Sequence, residues 1–232
     1  LQYAGLTILK FKKGKLTERS YQSCLIDTIT QVDPYIARKV NSFMEQPEFK
    51  EVIGATSLPF KSQESIGNIV TDAMRCSAAS DLAFYNQGGI RLSELPLGDI
   101  TLETILSIEP FGNHIVIHEL SLADIKALIL NHFNQGDHMI DLYVSPGNYT
   151  IIQDQQGKGI NVIFKDHHGR PLAEKNTYKV ALNNYVSIEY DFPDKGKGLH
   201  TDISVVNAMV DFIRTNSPLA PTDKRTYLSS VK

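Results

Sequence analysis

Leu82-Ala83-Phe84-Tyr85-Asn86-Gln87-Gly88-Gly89-Ile90-Arg91 is a short apolar run that stops abruptly in a polar, glycine-rich turn. Four apolar residues in a row, bounded so sharply, read as a buried strand. The Gly88-Gly89 pair lets the chain turn tightly and come close to a ligand, because no Cβ obstructs it. Asn86, just before, brings an amide that both donates and accepts. Arg91, just after, brings a planar fork suited to hydroxyls and phosphates. A strand end of this make-up is a candidate binding edge, and the flanking sequence decides what it belongs to.

On its N-terminal side, Ile66, Ile69, Val70, Ala73, Met74 and Ser77 recur at helical spacing, while Glu64, Asp72 and Arg75 face elsewhere. That pattern predicts an amphipathic helix from about Gln63. On the C-terminal side, Gly98-Asp99 reads as a turn and N-cap before Thr101-Leu102. From Asn113 to Leu120 the period is two, with His114, Val116 and His118 set against Ile115 and Ile117, hence a strand. Ser121 and Asp124 form a helix-start signal with Leu120 as a staple, and Leu122, Ile125, Leu128 and Ile129 continue that helix to about Phe133. Strands are expected at Tyr149 to Ile152, Gly159 to Phe164 and Tyr178 to Leu182, and a helix from Ser204 to Asn216. Farther out, Leu6 to Phe11 reads as a strand. Asp33-Pro34 starts a helix with Ile36, Val40, Phe43 and Met44 on one face. Strands and helices mix without strict alternation or repeat, so the expected class is α+β, a mixed β-sheet packed with helices.

Composition excludes more than it assigns. The 232 residues carry 23 basic and 26 acidic side chains, a net charge of −3, so there is no electrostatic case for a nucleic acid polymer as partner. No apolar run approaches the roughly 18–20 residues of a transmembrane segment. Cys24 and Cys76 are too far apart for a CxxC motif and too few for a cysteine zinc site, and their pairing stays open. The seven histidines show no HxH or HExxH spacing. His114 and His118, on one face of a strand, would stand roughly 13 Å apart, too far for one ion. No metal ligand and no catalytic residue is assigned to this chain.

Two further segments place an aromatic beside small or polar residues at strand ends: Pro110-Phe111-Gly112-Asn113 and Asn183-Asn184-Tyr185. Two such rings can stack on both faces of a flat ring. Taken in order, Glu64-Ser65-Ile66-Gly67-Asn68-Ile69-Val70-Thr71-Asp72-Ala73, Asn86-x-Gly88-Gly89-Ile90-Arg91, Gly98-Asp99-Ile100-Thr101, Glu109-Pro110-Phe111-Gly112-Asn113 and Tyr178-Lys179-Val180-Ala181 form a set. With them the chain resembles the C-terminal domain of the 5′-nucleotidase and UDP-sugar hydrolase family. The resemblance implies a substrate-binding domain over residues 60–232. Residues 1–59 would be the tail of an upstream metallophosphoesterase domain plus a linker and linker helix, with Leu1 to Phe11 the end of something longer.

The resemblance also implies a nucleoside or nucleotide ligand, its base stacked between Phe111 and Tyr185 and hydrogen-bonded by Asn86 above Gly88 and Gly89. Arg91 would hold the ribose or phosphate side, and Asp191 would accept from ribose hydroxyls. Hydrolysis would fall to divalent metals in a two-metal N-terminal domain, in the same or a separate chain, with no cofactor here and a periplasmic or extracellular location. The stretch Glu64 to Ala73 reads as structural, Gly67 allowing close helix approach and Asn68 tying a loop. After Tyr185 the family usually has an Asn-Gly-Gly-Asp-Gly-like run; this chain has Ser187-Ile188-Glu189-Tyr190-Asp191-Phe192. The alternative reading is a free-standing nucleoside-binding or degenerate structural module that partners a separately encoded phosphoesterase.

Overall fold

A computed structural model of the chain describes residues 3–28, 30–174, 177–193 and 195–231, so Leu1 and Gln2 of the expected upstream tail lie outside the described residues. The chain divides into two compact units, Leu1–Pro47 and Glu48–Lys232. In the first, β1 (Tyr3–Lys12) and β2 (Lys15–Leu25) pair antiparallel. The hairpin turns at Lys13 and Gly14, both at positive φ as a two-residue loop between twisted strands requires. Helix α1 (Pro34–Met44) follows, its N-cap Asp33 accepting from the amides of Tyr35 and Ile36. Its apolar face of Ile36, Val40, Phe43 and Met44 is exposed, as are Leu6, Ile8, Leu9 and Phe11 of the hairpin.

The second unit runs β3 (Val52–Thr56), α2 (Gln63–Ser77), β4 (Leu82–Asn86), β5 (Gly98–Thr101), α3 (Leu102–Ile108), β6 (His114–Ser121) and α4 (Leu122–Gln135). It continues with β7 (Leu142–Ser145), β8 (Asn148–Gln153), β9 (Gly159–Lys165), β10 (Thr177–Asn183), α5 (Asn184–Glu189), β11 (Leu199–Ser204), α6 (Val205–Asn216) and β12 (Thr226–Ser230). Five strands form the central sheet in the order β11-β6-β10-β4-β7. Only β10 and β4 run parallel within it; the other neighbours are antiparallel. Smaller sheets, β12-β8-β9 and β3-β5, complete an α+β architecture.

The central strands are apolar on both sides because both sheet faces are covered. Ala83 and Tyr85 of β4 join a core with Ile66, Val70 and Met74 of α2 and Met209 and Ile213 of α6. Leu82 and Phe84 enter a second core with Ile125 and Leu128 of α4 and Tyr149, Ile151, Val162 and Phe164 of the small sheet. Strand β6 follows the period-two reading, and both of its faces carry buried residues, Val116 and His118 on one and Ile115 on the other. The reading of Gly98-Asp99 is corrected: it lies in β5, and the N-cap of α3 is Thr101, which exchanges a capping box with Thr104.

The Glu64 to Ala73 stretch is structural, as its sequence suggested. A Cβ on Gly67 would stand 2.1 Å from Tyr143 Cδ2, so only glycine lets α2 lie this close to β7. Asn68 Nδ2 donates to Thr222 Oγ1 and the Asp223 carbonyl. Glu64 Oε1 accepts from the amides of Arg225 and Thr226 and from Thr226 Oγ1. Asp72 takes a bidentate pair from Arg225 at 2.8 and 2.9 Å. One polar flank of α2 thus delivers β12 to its parallel position beside β8.

Gly67→Ala tests this packing, because two effects oppose. Alanine is the better helix former by about 1 kcal/mol, whereas an overpacked methyl costs about 1–3 kcal/mol. The steric effect acts against the base of the Tyr143 ring, which cannot swing aside cheaply. A 2.1 Å approach puts the steric cost at the upper end of that range, so the variant is expected to unfold at lower urea concentration, by about 1–2 kcal/mol net; an unchanged or higher midpoint contradicts the packing argument.

Candidate functional site

The parallel pair β4 and β10 ends with Asn86 and Asn183 side by side, and Asn183 Nδ2 donates to Asn86 Oδ1 across 2.9 Å. From that edge the two strands diverge into two loops. Beyond Asn86 the chain makes a single 3-10 turn, Gln87–Gly89. Gly89 is required there, since a Cβ would meet the Tyr85 ring at 2.4 Å. Gln63, at the start of α2, clamps this turn by donating to the Ile90 carbonyl at 2.6 Å. Beyond Asn183 the chain enters α5, with the Asn183 side chain as N-cap to Val186. A third segment arrives from α3: Glu109 to Asn113 leads into β6, with Gly112 at a φ of +65°.

These segments enclose one cleft of about 290 Å³ lined by Asn86, Gly88, Gly89, Phe111, Asn113 and Tyr185. Phe111 is 58% and Tyr185 49% exposed, so both rings stand at the surface rather than in a core. Five of the seven residues singled out from the sequence are therefore brought together. Arg91 sits at the rim, its guanidinium 5.8 Å from the centroid of the Phe111 ring. Asp191 is exposed and is not among the residues lining the cleft; its carbonyl is held by Asn131 Nδ2 of α4 at 3.0 Å.

Asn113 carried no role in the sequence reading, although its motif was in view. Its side chain is fixed from below by a fully buried carboxylate, Glu109. Glu109 Oε1 accepts from Asn113 Nδ2 at 2.6 Å and from the Tyr85 hydroxyl at 3.1 Å. Asn113 Nδ2 also donates to Tyr85 Oη. With its amide hydrogens engaged, Asn113 turns Oδ1 away from this network. Asn86 is the converse, since its Oδ1 is engaged and Nδ2 remains the donor. Burial, reinforced by the charge of Glu109, pushes the Tyr85 hydroxyl far above its usual range, so it stays protonated. Glu109 Oε2 is buried without a partner among the described residues.

The second wall carries Tyr185 and, as the sequence after it has no glycine-rich run, is regular structure. It is the helix α5, pinned on several sides. Asn184 Oδ1 accepts from the His114 amide at 2.8 Å. Ser187 Oγ shares a 2.9 Å hydrogen bond with His118 Nε2. Tyr190, just past the helix, is 4% exposed and stacks on His132. No cluster of three or more His, Cys, Asp or Glu side chains that could hold a metal occurs among the described residues. A larger groove of about 450 Å³ between α2 and α6, lined by Ala73, Cys76, Ala208 and Phe212 among others, has no facing aromatics.

Comparison with known proteins bears on the family and the fold. Residues 50–191 match the family model described as "5'-nucleotidase, C-terminal domain". Among curated relatives, the trifunctional nucleotide phosphoesterase protein YfkN of Bacillus subtilis is 27% identical over 208 residues, covering 80% of this chain and 14% of that protein. Protein UshA of Yersinia enterocolitica is 24% identical over 94% of this chain and 44% of its own length. The chain thus spans less than half the length of these relatives. A crystal structure of a 5'-nucleotidase precursor from Thermus thermophilus superposes with a TM-score of 0.68 at 22% identity, covering 98% of this chain and 50% of that one.

The His118–Ser187 contact makes the α5 wall sensitive to acid. Burial, and secondly the charge of His200, hold the His118 imidazole below its usual value of 6.5. A group whose folded value is depressed contributes stability above its unfolded value and loses it as pH falls through the folded value. Between about pH 7.5 and pH 5, the chain is expected to lose more unfolding free energy than its His118→Gln variant. Parallel pH profiles for the two proteins would count against this role.

Proposed function

The chain belongs to the 5′-nucleotidase C-terminal domain family, and from that premise we propose that it is the substrate-recognition part of a nucleotide phosphoesterase. A nucleobase lies in the cleft, stacked between Phe111 and Tyr185. Asn86 Nδ2 donates to its edge and Asn113 Oδ1 accepts from it. Arg91, at the rim beside Phe111, meets the ribose or phosphate side. Asp191, six residues beyond Tyr185, takes the ribose hydroxyls of a ligand that extends out of the cleft. The observation that carries this reading is the pairing of two half-exposed aromatics around one cleft whose amides are held by buried partners.

Hydrolysis belongs to a separate metallophosphoesterase domain, in the same or another chain, whose divalent metals supply a nucleophile and stabilise charge on phosphorus. A periplasmic or extracellular location follows the family, and no helix among the described residues is long and apolar enough to cross a membrane.

The expected affinity is weak. Stacking contributes roughly 1–3 kcal/mol per base–aromatic contact, and each hydrogen bond about 1 kcal/mol. Loss of rigid-body freedom opposes both. A net binding free energy of about −4 kcal/mol corresponds to a Kd of about 1 mM. Titration of the chain with adenosine, followed by NMR, should give saturable shifts near Phe111. Phe111→Ala and Tyr185→Ala should each weaken binding about tenfold, and His167→Ala should not change it. Absence of saturable shifts at several times that concentration would leave the structural-module reading in its place.

A further inference from the structure

We propose that Asp141 is a positioning residue that ties the Tyr185 wall of the cleft to the Gly88–Gly89 wall and sets the gap between them before a ligand enters. This rests on the base-binding reading of the cleft. Asp141 immediately precedes β7, whose first residue Leu142 pairs with Asn86 of β4. Its carbonyl accepts from the Gln87 amide at 2.6 Å. Burial holds the Asp141 carboxyl above its ordinary range, and the Tyr190 hydroxyl, His132 and the amides of Gly88 and Gln87 offset part of that rise. Asp141 therefore holds the head of the glycine turn through its backbone.

Its carboxylate faces the segment that follows Tyr185. The Tyr190 hydroxyl donates to Asp141 Oδ2. His132 Nε2, from α4, lies 3.2 Å from the same oxygen. The His132 and Tyr190 rings stack at 3.8 Å with 13° between planes. Tyr190 in turn meets Tyr185 edge to face, with centroids 6.3 Å apart. A continuous path thus runs from Gln87, at the head of the glycine turn, through Asp141 and Tyr190 to the Tyr185 ring.

The sequence departure after Tyr185 gives this path its significance. A glycine-rich run could reshape itself around a ligand, whereas Tyr190 is buried and held by a hydrogen bond and two ring contacts. In its place the chain carries a fixed wall, so pre-organisation replaces ordering on binding.

Tyr190→Phe removes only the hydroxyl and keeps both ring contacts. In the full chain this variant should bind adenosine about fivefold more weakly, the loss of one hydrogen bond's worth of order. Its thermal midpoint should fall by only about 2–4 °C, the size of one lost hydrogen bond in a chain of this length. Without ligand, the Gly88 amide resonance on the opposite wall should move, a change that a purely local structural role would not produce. Asp141→Asn, which keeps an acceptor for Tyr190, should fall between parent and Asp141→Ala. Phe111→Ala serves as the control. If Phe111→Ala weakens binding but Tyr190→Phe and Asp141→Ala leave affinity within about twofold, the coupling is overturned while base stacking stands. If adenosine does not bind the parent, base stacking fails, and the Gly88 resonance alone decides the coupling: no movement in Tyr190→Phe overturns it.

Discussion

Everything at the cleft hangs from one pairing, the parallel alignment of β4 with β10. It is the single parallel neighbour in the central sheet, and it brings two C-terminal strand ends to the same edge. Ligand sites in open α/β sheets gather at such edges because the chains leave in different directions there. Here one end leaves as the Gly88–Gly89 turn and the other as α5. The buried Asn183–Asn86 hydrogen bond fastens the two exits together at their roots. Strand β6, antiparallel to β10, begins at the same edge and carries Phe111 and Asn113 on its approach. Three segments far apart in sequence become one site through backbone register and the side-chain ties at its roots.

The polar groups of that site are fixed by burial rather than by surface contacts. Glu109 orients Asn113, Asn183 orients Asn86, and Gln63 grips the turn. An amide whose two ends are distinguishable to a ligand must be prevented from flipping, and an acceptor-only carboxylate does this for Asn113. The arrangement costs stability, since Glu109 Oε2 is buried without a partner among the described residues. Local rules broken at a binding site and tolerated by the surrounding core are the expected pattern.

Much of this fold is legible in the sequence because period and capping agree with the tertiary structure. Helices α2, α4 and α6, strands β4, β8, β9 and β10, and the paired exposure of Phe111 and Tyr185 follow from residue pattern and motif. What was not legible was decided by contacts from elsewhere. Helix α5 has six residues and exists because Asn183, His118 and the sheet edge hold it. Strand β12 depends on the Glu64 and Asp72 clamp more than on its own Thr-Tyr-Leu-Ser-Ser sequence. Strand β7 is four residues long, too short for any period to show. The burial of His118 was not legible, because alternation marks a strand and cannot reveal that it is covered on both faces.

The central claim is that a planar base sits between Phe111 and Tyr185. Intermolecular nuclear Overhauser effects between adenosine and the chain test it most directly, since they require approach within about 5 Å, comparable to the reach of stacked rings. The account predicts contacts from the base protons of one bound adenosine to ring protons of both Phe111 and Tyr185. Contacts to only one of these rings, or to the groove between α2 and α6 instead, would contradict it.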